Sequence, residues 1–305
     1  MGMLQQLVQH LEMLIQHLIN GLQAGSIYAL VALGYTMVYG IVKLINFAHG
    51  DFIMVGGYVC LLTIPLLLGA GMPAWLCILA AIVVCAVLGM ATEKIAYKPL
   101  RGAPSLSVLI TAIAVSLLLQ NSFLLIFGSA KKPVQALFNA PSIMVGPIEI
   151  SGVTIVTVVL SVIAMVALQL FVKKTRMGKA MRAVSEDSSA AVLMGINPNT
   201  TISLTFAIGS GLAAVAAAMY VSQYPSVGPF IGSMLGLKAF VAAVLGGIGI
   251  LPGAMLGGIV IGIIESLSKA YISTDLSDAI VFGVLIVVLL VKPTGVLGKN
   301  TGEKV

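Results

Sequence analysis

The sequence predicts an all-α polytopic membrane protein, a bundle of about eight or nine transmembrane helices with broken or re-entrant inner segments. Of its 305 residues, 59% are hydrophobic and only 9% are charged, whereas soluble domains carry about 25% charged residues. The mean hydropathy is +1.12, and apolar runs near the ~20 residues that cross a ~30 Å hydrocarbon core recur along the chain. The longest polar stretch, residues 173–200, is too short to bury a core of its own. No soluble domain is therefore expected.

Residues 1–20 form the first predicted unit, an amphipathic helix along the membrane surface. Leucine, valine and isoleucine recur there at helical spacing, while glutamines occupy the opposite face. His10 and His17 favour a position at the interface over a crossing. The remaining predicted units are a transmembrane domain over residues 21–298 and a cytoplasmic tail over residues 299–305.

The transmembrane domain divides into apolar segments separated by polar, glycine-rich or proline-rich breaks. One segment, residues 236–250, is about 15 residues long and dense in glycine, which is too short to span comfortably. It predicts a tilted or re-entrant element buried among other helices, because broken backbone is tolerated only where protein or water satisfies it. Counting this element gives nine crossings, with the N-terminus outside and the C-terminus inside; omitting it gives eight. The other predicted spans cover residues 21–42, 52–68, 73–92, 105–127, 153–172, 201–223, 253–271 and 279–291.

Basic residues set the predicted orientation of these spans. Eleven lysines and arginines fall in the loops assigned to the cytoplasm and four on the far side, which is the positive-inside pattern. Five of the eleven lie in the first ten residues of the loop 173–200, with no acid among them. The net charge of +6 therefore follows topology, and nucleic acid is not an expected partner.

The second half of the loop 173–200 predicts a short cytoplasmic helix. Ser185 is a candidate N-cap, Asp187 falls in the first turn, and Gly195 and Pro198 are expected to stop the helix. Such a small helix, acidic at its start, suits docking to a soluble partner. The alternative is an ordinary connecting loop whose basic residues only set topology. The candidate docking residues are Glu186, Asp187, Ala190, Ala191 and Gly195.

The sequence offers no motif for chemistry. No G-x-x-x-x-G-K-[ST] occurs, so the chain is not expected to hold a nucleotide phosphate in a P-loop. Nucleophile elbows, HExxH and clustered Cys/His ligands are also missing, and Cys60, Cys77 and Cys85 lie inside apolar runs as packing residues. We therefore predict no enzyme activity, no metal site and no cofactor bound by this chain. Any ATP that drives it is bound by another subunit.

Polar residues at membrane depth are functional candidates because they are costly there. Asn46, His49 and Asp51 lie together at a break after the first span, where discontinuous helices of transporters present groups to a path. An alternative of equal weight is a cytoplasmic-side turn in which Asp51 caps the next helix. Glu265 lies inside a span one turn before Lys269, an order that favours a helical ion pair.

A lysine and several glycines complete the candidate set. Lys238 opens the short glycine-rich segment and either attracts a carboxylate entering from outside or extends to the membrane interface. The glycines between residues 246 and 262 predict either close helix packing with a kink or a flexible element that lines a path. The candidate residues of a translocation path are Asn46, His49, Asp51, Lys238, Gly246, Gly247, Gly249 and Glu265.

Four stretches carry a resemblance to a known family. They are ALVALGYTMVYGIVKLINFAHGDFIMVGGY, SEDSSAAVLMGIN, KAFVAAVLGGIGILPGAMLGG, and the end from ESLSKAYIS to LLVKPTGVLG. NFAHGD and AAVLGGIG are far less generic than GxxxG, and the match runs from Asn20 to Gly298. The chain resembles the LivH-type permeases (LivH/LivM permease family) of branched-chain amino-acid ABC importers. It departs from the usual coupling motif of ABC permeases, because the alanine pair that follows the glutamate is displaced to Ala190 and Ala191.

The resemblance implies a multi-pass subunit of the bacterial inner membrane that forms half of a translocation path for leucine, isoleucine and valine. The implied partners are a second, LivM-like permease, two cytoplasmic ATP-binding subunits that use the ATP, a periplasmic amino-acid-binding protein and the lipid bilayer. By the same resemblance, Glu186, Asp187 and Gly195 belong to a coupling helix that contacts an ATPase. Family members for urea, amides or other amino acids are the alternative substrate classes.

Two further alternatives come from other functional classes. A secondary transporter or channel would show paired inverted halves with ion-binding acids at mid-membrane. The sequence offers one candidate acid, Glu265, and no convincing repeat. The second is a purely structural membrane subunit, and substitutions at Asn46 or Gly249 that abolish uptake while assembly survives would argue against it.

Overall fold

The structure, a computed structural model, describes residues 2–138 and 140–298, with side chains described from residue 5 onward. It is an all-α bundle, as predicted, in which seven helices are long and apolar enough to cross a membrane and two shorter ones are also apolar. The helices in the described residues are α1 (Gly2–Val42), α2 (His49–Gly69), α3 (Cys77–Thr92), α4 (Ser105–Phe127), α5 (Gly152–Lys174), α6 (Arg176–Glu186), α7 (Ser188–Leu193), α8 (Pro198–Gln223), α9 (Ile231–Gly246), α10 (Leu251–Tyr271) and α11 (Ser277–Val291).

Short elements complete the two ends of the bundle. Single turns of 3-10 or π helix flank α3 at Ala74–Leu76, Glu93–Tyr97 and Lys98–Leu100. Two antiparallel ribbons join β1 (Lys132–Pro133) to β4 (Ser226–Val227) and β2 (Ile143–Val145) to β3 (Ile148–Ile150). Both ribbons lie at the end of α8 opposite α6 and α7. We call the end that carries α6 and α7 the basic end, and the other the far end.

Helix α1 joins two elements that the sequence analysis separated at residue 20. It runs for 41 residues without a break, a length of about 60 Å at the usual rise. Gly21 does not interrupt it, because the glycine packs directly on α10, where an added Cβ would lie 2.8 Å from Ile263 Cα. The change from amphipathic to apolar sequence at this point is therefore a change of surroundings within one continuous helix.

The core lies between α1, α2, α8, α9 and α10. The most apolar windows of α1 and α8 are 83% and 72% buried, whereas those of α4 and α5 are only 11% and 17% buried. Alanines on α8 leave room for its neighbours, and Ala213, Ala214, Ala216, Ala217 and Ala218 are fully buried. Helices α4 and α5 therefore form the rim of the bundle, with apolar faces left for lipid or another subunit.

Glycines bring α1 and α10 into backbone contact. An added Cβ on Gly262 would lie 2.2 Å from Gly25 N, and one on Gly258 would lie 2.5 Å from Ala29 N. The small residues four apart on α10 therefore serve as a packing face, as small-xxx-small spacing predicts. The contact ties the N-terminal helix to the C-terminal third of the chain.

We expect Gly262→Ala to lower the unfolding free energy by about 1–3 kcal/mol, the usual cost of overpacking a tight contact. Gly283→Ala on α11 is the matched control, because no atom lies within 4 Å of a Cβ added there and alanine is the better helix former by about 1 kcal/mol. Thermal unfolding in detergent can be followed with a maleimide dye, since Cys60, Cys77 and Cys85 are fully buried in the folded chain. Equal midpoints for the two variants would contradict the packing role.

The loop 173–200 contains two helices where the sequence analysis predicted one. Helix α6 extends through Glu186, and Asp187 is the N-cap of α7, its Oδ1 accepting from Ser189 N at 2.8 Å and Ala190 N at 3.0 Å. Ser185, the predicted cap, instead donates to the carbonyl of Arg182. Asp187 rather than Ser185 is the N-cap because α6 buries Met181 and Val184 on its apolar face. This packing keeps α6 helical through Glu186, the residue before Asp187.

The predicted end of this helix is correct at Gly195 and wrong at the proline. Gly195 has φ +79°, the left-handed conformation that glycine adopts at helix C-termini. Pro198 does not stop a helix; it is the first residue of α8, and Asn197 Oδ1 caps that helix by accepting from Asn199 N at 3.0 Å. Proline suits this position because its missing N–H would have no partner in the first turn.

The glycine-rich segment predicted at residues 236–250 is helix α9 followed by a tight turn. The helix has 16 residues, about 24 Å, which is short of a ~30 Å hydrocarbon core. The turn uses Gly247 at φ +103° and Gly249 at φ +96°. The carbonyls of Leu245 and Gly246 accept from the N–H groups of Val296 and Leu297. Protein therefore satisfies the broken backbone, as the prediction of a buried interrupted segment requires.

Candidate functional site

A cavity of about 670 Å³ opens at the far end of the bundle. It lies between α1, the end of α8, the start of α9 and the end of α10, with residues that follow α4 at its rim. Ligand pockets commonly have volumes of about 300–1,000 Å³. We call it the far-end cavity.

An ion-pair cluster forms one wall of the far-end cavity. Lys238 Nζ on α9 lies 2.8 Å from Glu265 Oε1 on α10 and 2.6 Å from Asp278 Oδ1 on α11. Lys269 Nζ lies 2.5 Å from the same Glu265 oxygen, and Tyr28 on α1 donates to Oε2 at 2.5 Å. Three helices, α1, α9 and α10, therefore meet at the Glu265 carboxylate, and α11 joins the cluster through Lys238.

Burial differs sharply within the cluster. The side chains of Lys238 and Glu265 are 9% and 4% exposed, whereas those of Lys269 and Asp278 are 45% and 40% exposed. A charge taken out of water is stable only when it is well paired. The inner pair is therefore fixed in place by its partners, and the outer two groups remain in contact with water.

Two sequence predictions meet in this cluster. The helical pair of Glu265 and Lys269 is present as predicted. Extension of Lys238 to the interface, one of the two alternatives, is wrong, because its ammonium group points to two carboxylates. Tyr28 and Asp278 were not among the sequence candidates, because nothing in the local pattern of α1 distinguishes Tyr28 from Tyr35 and Tyr39 or signals a contact 237 positions away.

Asn46, His49 and Asp51 do not form one site. Asn46 Oδ1 accepts from Ala48 N at 3.1 Å and from Tyr97 OH at 2.6 Å, so it holds the break between α1 and α2. The His49 ring packs edge-on to Tyr35, with centroids 4.6 Å apart. All three polar side chains are 1–2% exposed, and none of them is among the described residues that line the far-end cavity.

The capping alternative for Asp51 is wrong. Helix α2 begins at His49 after Ala48, with no side-chain cap. Asp51 Oδ1 instead accepts from Gln120 Nε2 on α4 at 2.9 Å, and the same amide lies 3.0 Å from Ser233 Oγ on α9. The carboxylate therefore links α2 to α4 and, through Gln120, to α9 across the bundle. A role for the three residues in a path stays a prediction.

The three glycines proposed for the path lie at the turn between α9 and α10. An added Cβ on Gly246 would lie 1.9 Å from Gly253 O, and one on Gly247 would lie 2.9 Å from Gly298 N. Gly249 lies against Gly40, with 3.7 Å from an added Cβ to Gly40 Cα. Close backbone approach and positive φ both require glycine here, and a further role as a moving element stays a prediction.

Helices α6 and α7 form an exposed surface at the basic end. A shallow cavity of about 450 Å³ there is lined by four of the candidate docking residues, Glu186, Asp187, Ala190 and Ala191, among others. Glu186, Asp187, Ala190 and Gly195 are exposed, but Ala191 is buried at 3% exposure. Ala191 therefore packs inside the chain and presents no side chain to a partner.

The most exposed part of this surface was not among the sequence candidates. Val192, Leu193 and Met194, which we call the α7 tip, are 55%, 88% and 82% exposed. Three consecutive apolar residues before a glycine in an otherwise polar loop were the available signal. Exposed apolar groups on the water side of a membrane protein mark an interaction surface.

Comparison with known proteins gives consistent matches over most of the chain. Residues 17–289 match the family model for the permease component of branched-chain amino acid transport systems. The chain is 46% identical over 301 residues to the high-affinity branched-chain amino acid transport system permease protein LivH of Salmonella typhimurium, covering 95% of this chain and 97% of that protein. LivH of Escherichia coli K12 gives the same identity and coverage.

Two more distant relatives carry related names. BraD of Pseudomonas aeruginosa, a permease protein of the same kind of system, is 44% identical over 95% of this chain and 98% of its own length. A probable LivH of Methanocaldococcus jannaschii is 30% identical over 90% of this chain and 89% of its own length. With its spanning helices, its two exposed sites and these relatives, the chain belongs to the family of LivH-type permeases of branched-chain amino acid transport systems, a family of multi-pass membrane transport proteins.

Proposed function

We propose that the chain is one of two permease subunits of an ABC importer in a bacterial inner membrane. It forms half of a path for leucine, isoleucine and valine together with a second, LivM-like permease. Two cytoplasmic ATP-binding subunits drive the cycle, and a periplasmic amino-acid-binding protein delivers the solute. The names of relatives at 44–46% identity support the substrate class.

The observation that carries the proposal is the α7 tip at the basic end. Leu193 and Met194 present apolar side chains to water beside the acidic pair Glu186 and Asp187. The sequence has no phosphate-binding loop of its own. A surface of this kind suits a soluble subunit that does have one, and the positive-inside pattern supports a cytoplasmic position for it.

Transmission of force follows from how this surface is joined to the bundle. Helix α6 packs against α5, α8 and α1, and Gly178 approaches Val172 so closely that an added Cβ would lie 2.5 Å from its Cα. Close-packed contacts have low compressibility and transmit strain. A displacement of α7 by an ATPase is therefore expected to move α5 and α8. The opposite ends of these two helices lie at the far end of the bundle.

The test is reconstitution of the complete transporter. Co-expression with the two ATP-binding subunits and the second permease should yield a complex that accumulates leucine in proteoliposomes when ATP and the binding protein are supplied. Vesicles containing this polypeptide alone should accumulate none. Uptake against a gradient by the single chain without nucleotide would instead establish a secondary transporter.

A further inference from the structure

The far-end cavity has the charge of a carboxylate-binding site. Its lining includes three cations, Lys131, Lys238 and Lys269, and one carboxylate, Glu265. Asp278 pairs with Lys238 from the side of α11. The excess of positive charge lies in a recess with low-dielectric walls, where such fields concentrate anions.

The lysines at the mouth of the cavity retain donor capacity. A lysine ammonium has three N–H donors, and Lys269 Nζ makes one hydrogen bond among the described residues, to Glu265. Its side chain is 45% exposed, and Lys131 is exposed at the rim. Both ammonium groups are therefore accessible to an incoming anion without rupture of the buried pair.

Part of the lining is apolar, and we call this part the apolar wall. Ile27 on α1, Phe230 at the N-cap of α9, and Met234 and Leu235 on α9 form it. Phe230 and Met234 are also partly exposed, so their faces are open to the cavity. An aliphatic side chain placed here would remove apolar surface from water on both sides.

We propose that the far-end cavity is an amino-acid-binding site within the permease itself. Lys269 and Lys131 hold the α-carboxylate, Glu265 exchanges one lysine contact for the α-ammonium group, and the apolar wall takes the aliphatic side chain. The inference rests on the proposed function and makes it more specific, because a site of this charge requires a carboxylate. Urea and simple amides, which lack one, fit it poorly.

The arrangement predicts weak binding, which a transit site needs. Glu265 already has three partners, so a bound ammonium group replaces an existing interaction instead of adding to an empty acceptor. The net free energy of binding is therefore small, because each new charge pair replaces an existing one. An amino acid held in this way can leave again when the helices move.

The test is photolabelling of the complete nucleotide-free transporter in nanodiscs without the binding protein, with a diazirine analogue of leucine as the probe. We expect adducts on peptides that line the cavity, between residues 224 and 238 or 262 and 270. Leucine should compete, whereas leucinamide, without a carboxylate, and 4-methylpentanoate, without an ammonium group, should compete at least about tenfold less well. That factor corresponds to the loss of one hydrogen bond between charged groups.

Lysine variants make the test specific for the cavity. Lys269→Met and Lys131→Met should each reduce labelling about tenfold, and Lys132→Met is the matched control, since this neighbouring lysine does not line the cavity. Size-exclusion chromatography of the complex is the check that each variant assembles.

Three outcomes would overturn the inference: no adduct in the cavity, equal competition by leucinamide, or unchanged labelling of Lys269→Met. ATP-dependent leucine uptake measured on the same preparation tests the proposed function separately. If that uptake is intact while the cavity remains unlabelled, the inference alone has failed.

Discussion

Leu193→Glu at the α7 tip is expected to abolish ATPase retention and transport together. The leucine is 88% exposed on a helix of six residues, so it contributes little to the fold of this chain. In a docked complex the same side chain would be buried, and an unpaired carboxylate in an apolar contact costs several kcal/mol. Each 1.4 kcal/mol is tenfold in affinity, so we expect a loss of at least about 100-fold in ATPase binding, measured by co-purification and by ATP-dependent leucine uptake.

The control for Leu193→Glu introduces the same carboxylate at a different exposed position. Thr200→Glu puts a carboxylate at an exposed position of the same end, in the first turn of α8, where the helix dipole favours it. It should retain the ATPases. A transporter that carries Leu193→Glu, keeps both ATPases and still takes up leucine would show that the partner docks elsewhere.

Charge reversal at Glu186 and Asp187 is a less specific test of docking than Leu193→Glu, because it also affects the fold. Asp187 caps α7 through two N–H groups, and loss of such a cap costs about 0.5–2 kcal/mol. Glu186, at the end of α6, makes no such bond to any residue that the structure describes. The structure therefore favours the apolar tip over the acids as the place to test coupling, although the sequence analysis had chosen the acids.

The membrane-spanning part of the fold could be predicted because lipid leaves the chain few choices. Every backbone group in hydrocarbon must be satisfied internally, so long apolar runs become helices, and α4, α5 and α10 lie where the sequence places them. The boundary at residue 20 could not be predicted in this way. Hydropathy reports the solvent around a helix, and α1 keeps its backbone continuous through that change.

For the candidate sites, contacts between residues close in sequence could be predicted, and contacts that depend on helix packing could not. Glu265 and Lys269 are four residues apart, so helical geometry alone brings them together. The contacts of Lys238 with Glu265 and Asp278 depend on how α9, α10 and α11 pack, and nothing in local spacing specifies that. Asn46, His49 and Asp51 show the converse: proximity in sequence suggested one site, and the structure sends their side chains to three different helices or turns.

Glu265→Gln is expected to be the most destabilising polar substitution in the ion-pair cluster of the far-end cavity. The carboxylate is 4% exposed and bonds Lys238, Lys269 and Tyr28. Its removal leaves the buried Lys238 ammonium with Asp278 as its one remaining carboxylate in the described chain, and breaking a buried pair in this way costs about 3–5 kcal/mol. Thermal unfolding with the maleimide dye should show a midpoint below that of Asp278→Asn, whose carboxylate is 40% exposed and so loses less when its charge is removed.

A double variant shows whether the loss comes from the buried Lys238 ammonium group, which keeps only Asp278 as a carboxylate partner among the described residues. When both members of a buried pair are replaced by apolar residues of similar volume, stability is often kept or raised. Lys238→Met combined with Glu265→Met should therefore recover much of the stability lost in Glu265→Gln, because no buried ammonium remains. Leucine labelling of the cavity should not recover, since the acceptor for the α-ammonium group is gone. Equal stability of Glu265→Gln and Asp278→Asn would mean that water reaches Lys238, and that the pair is not buried as its contacts indicate.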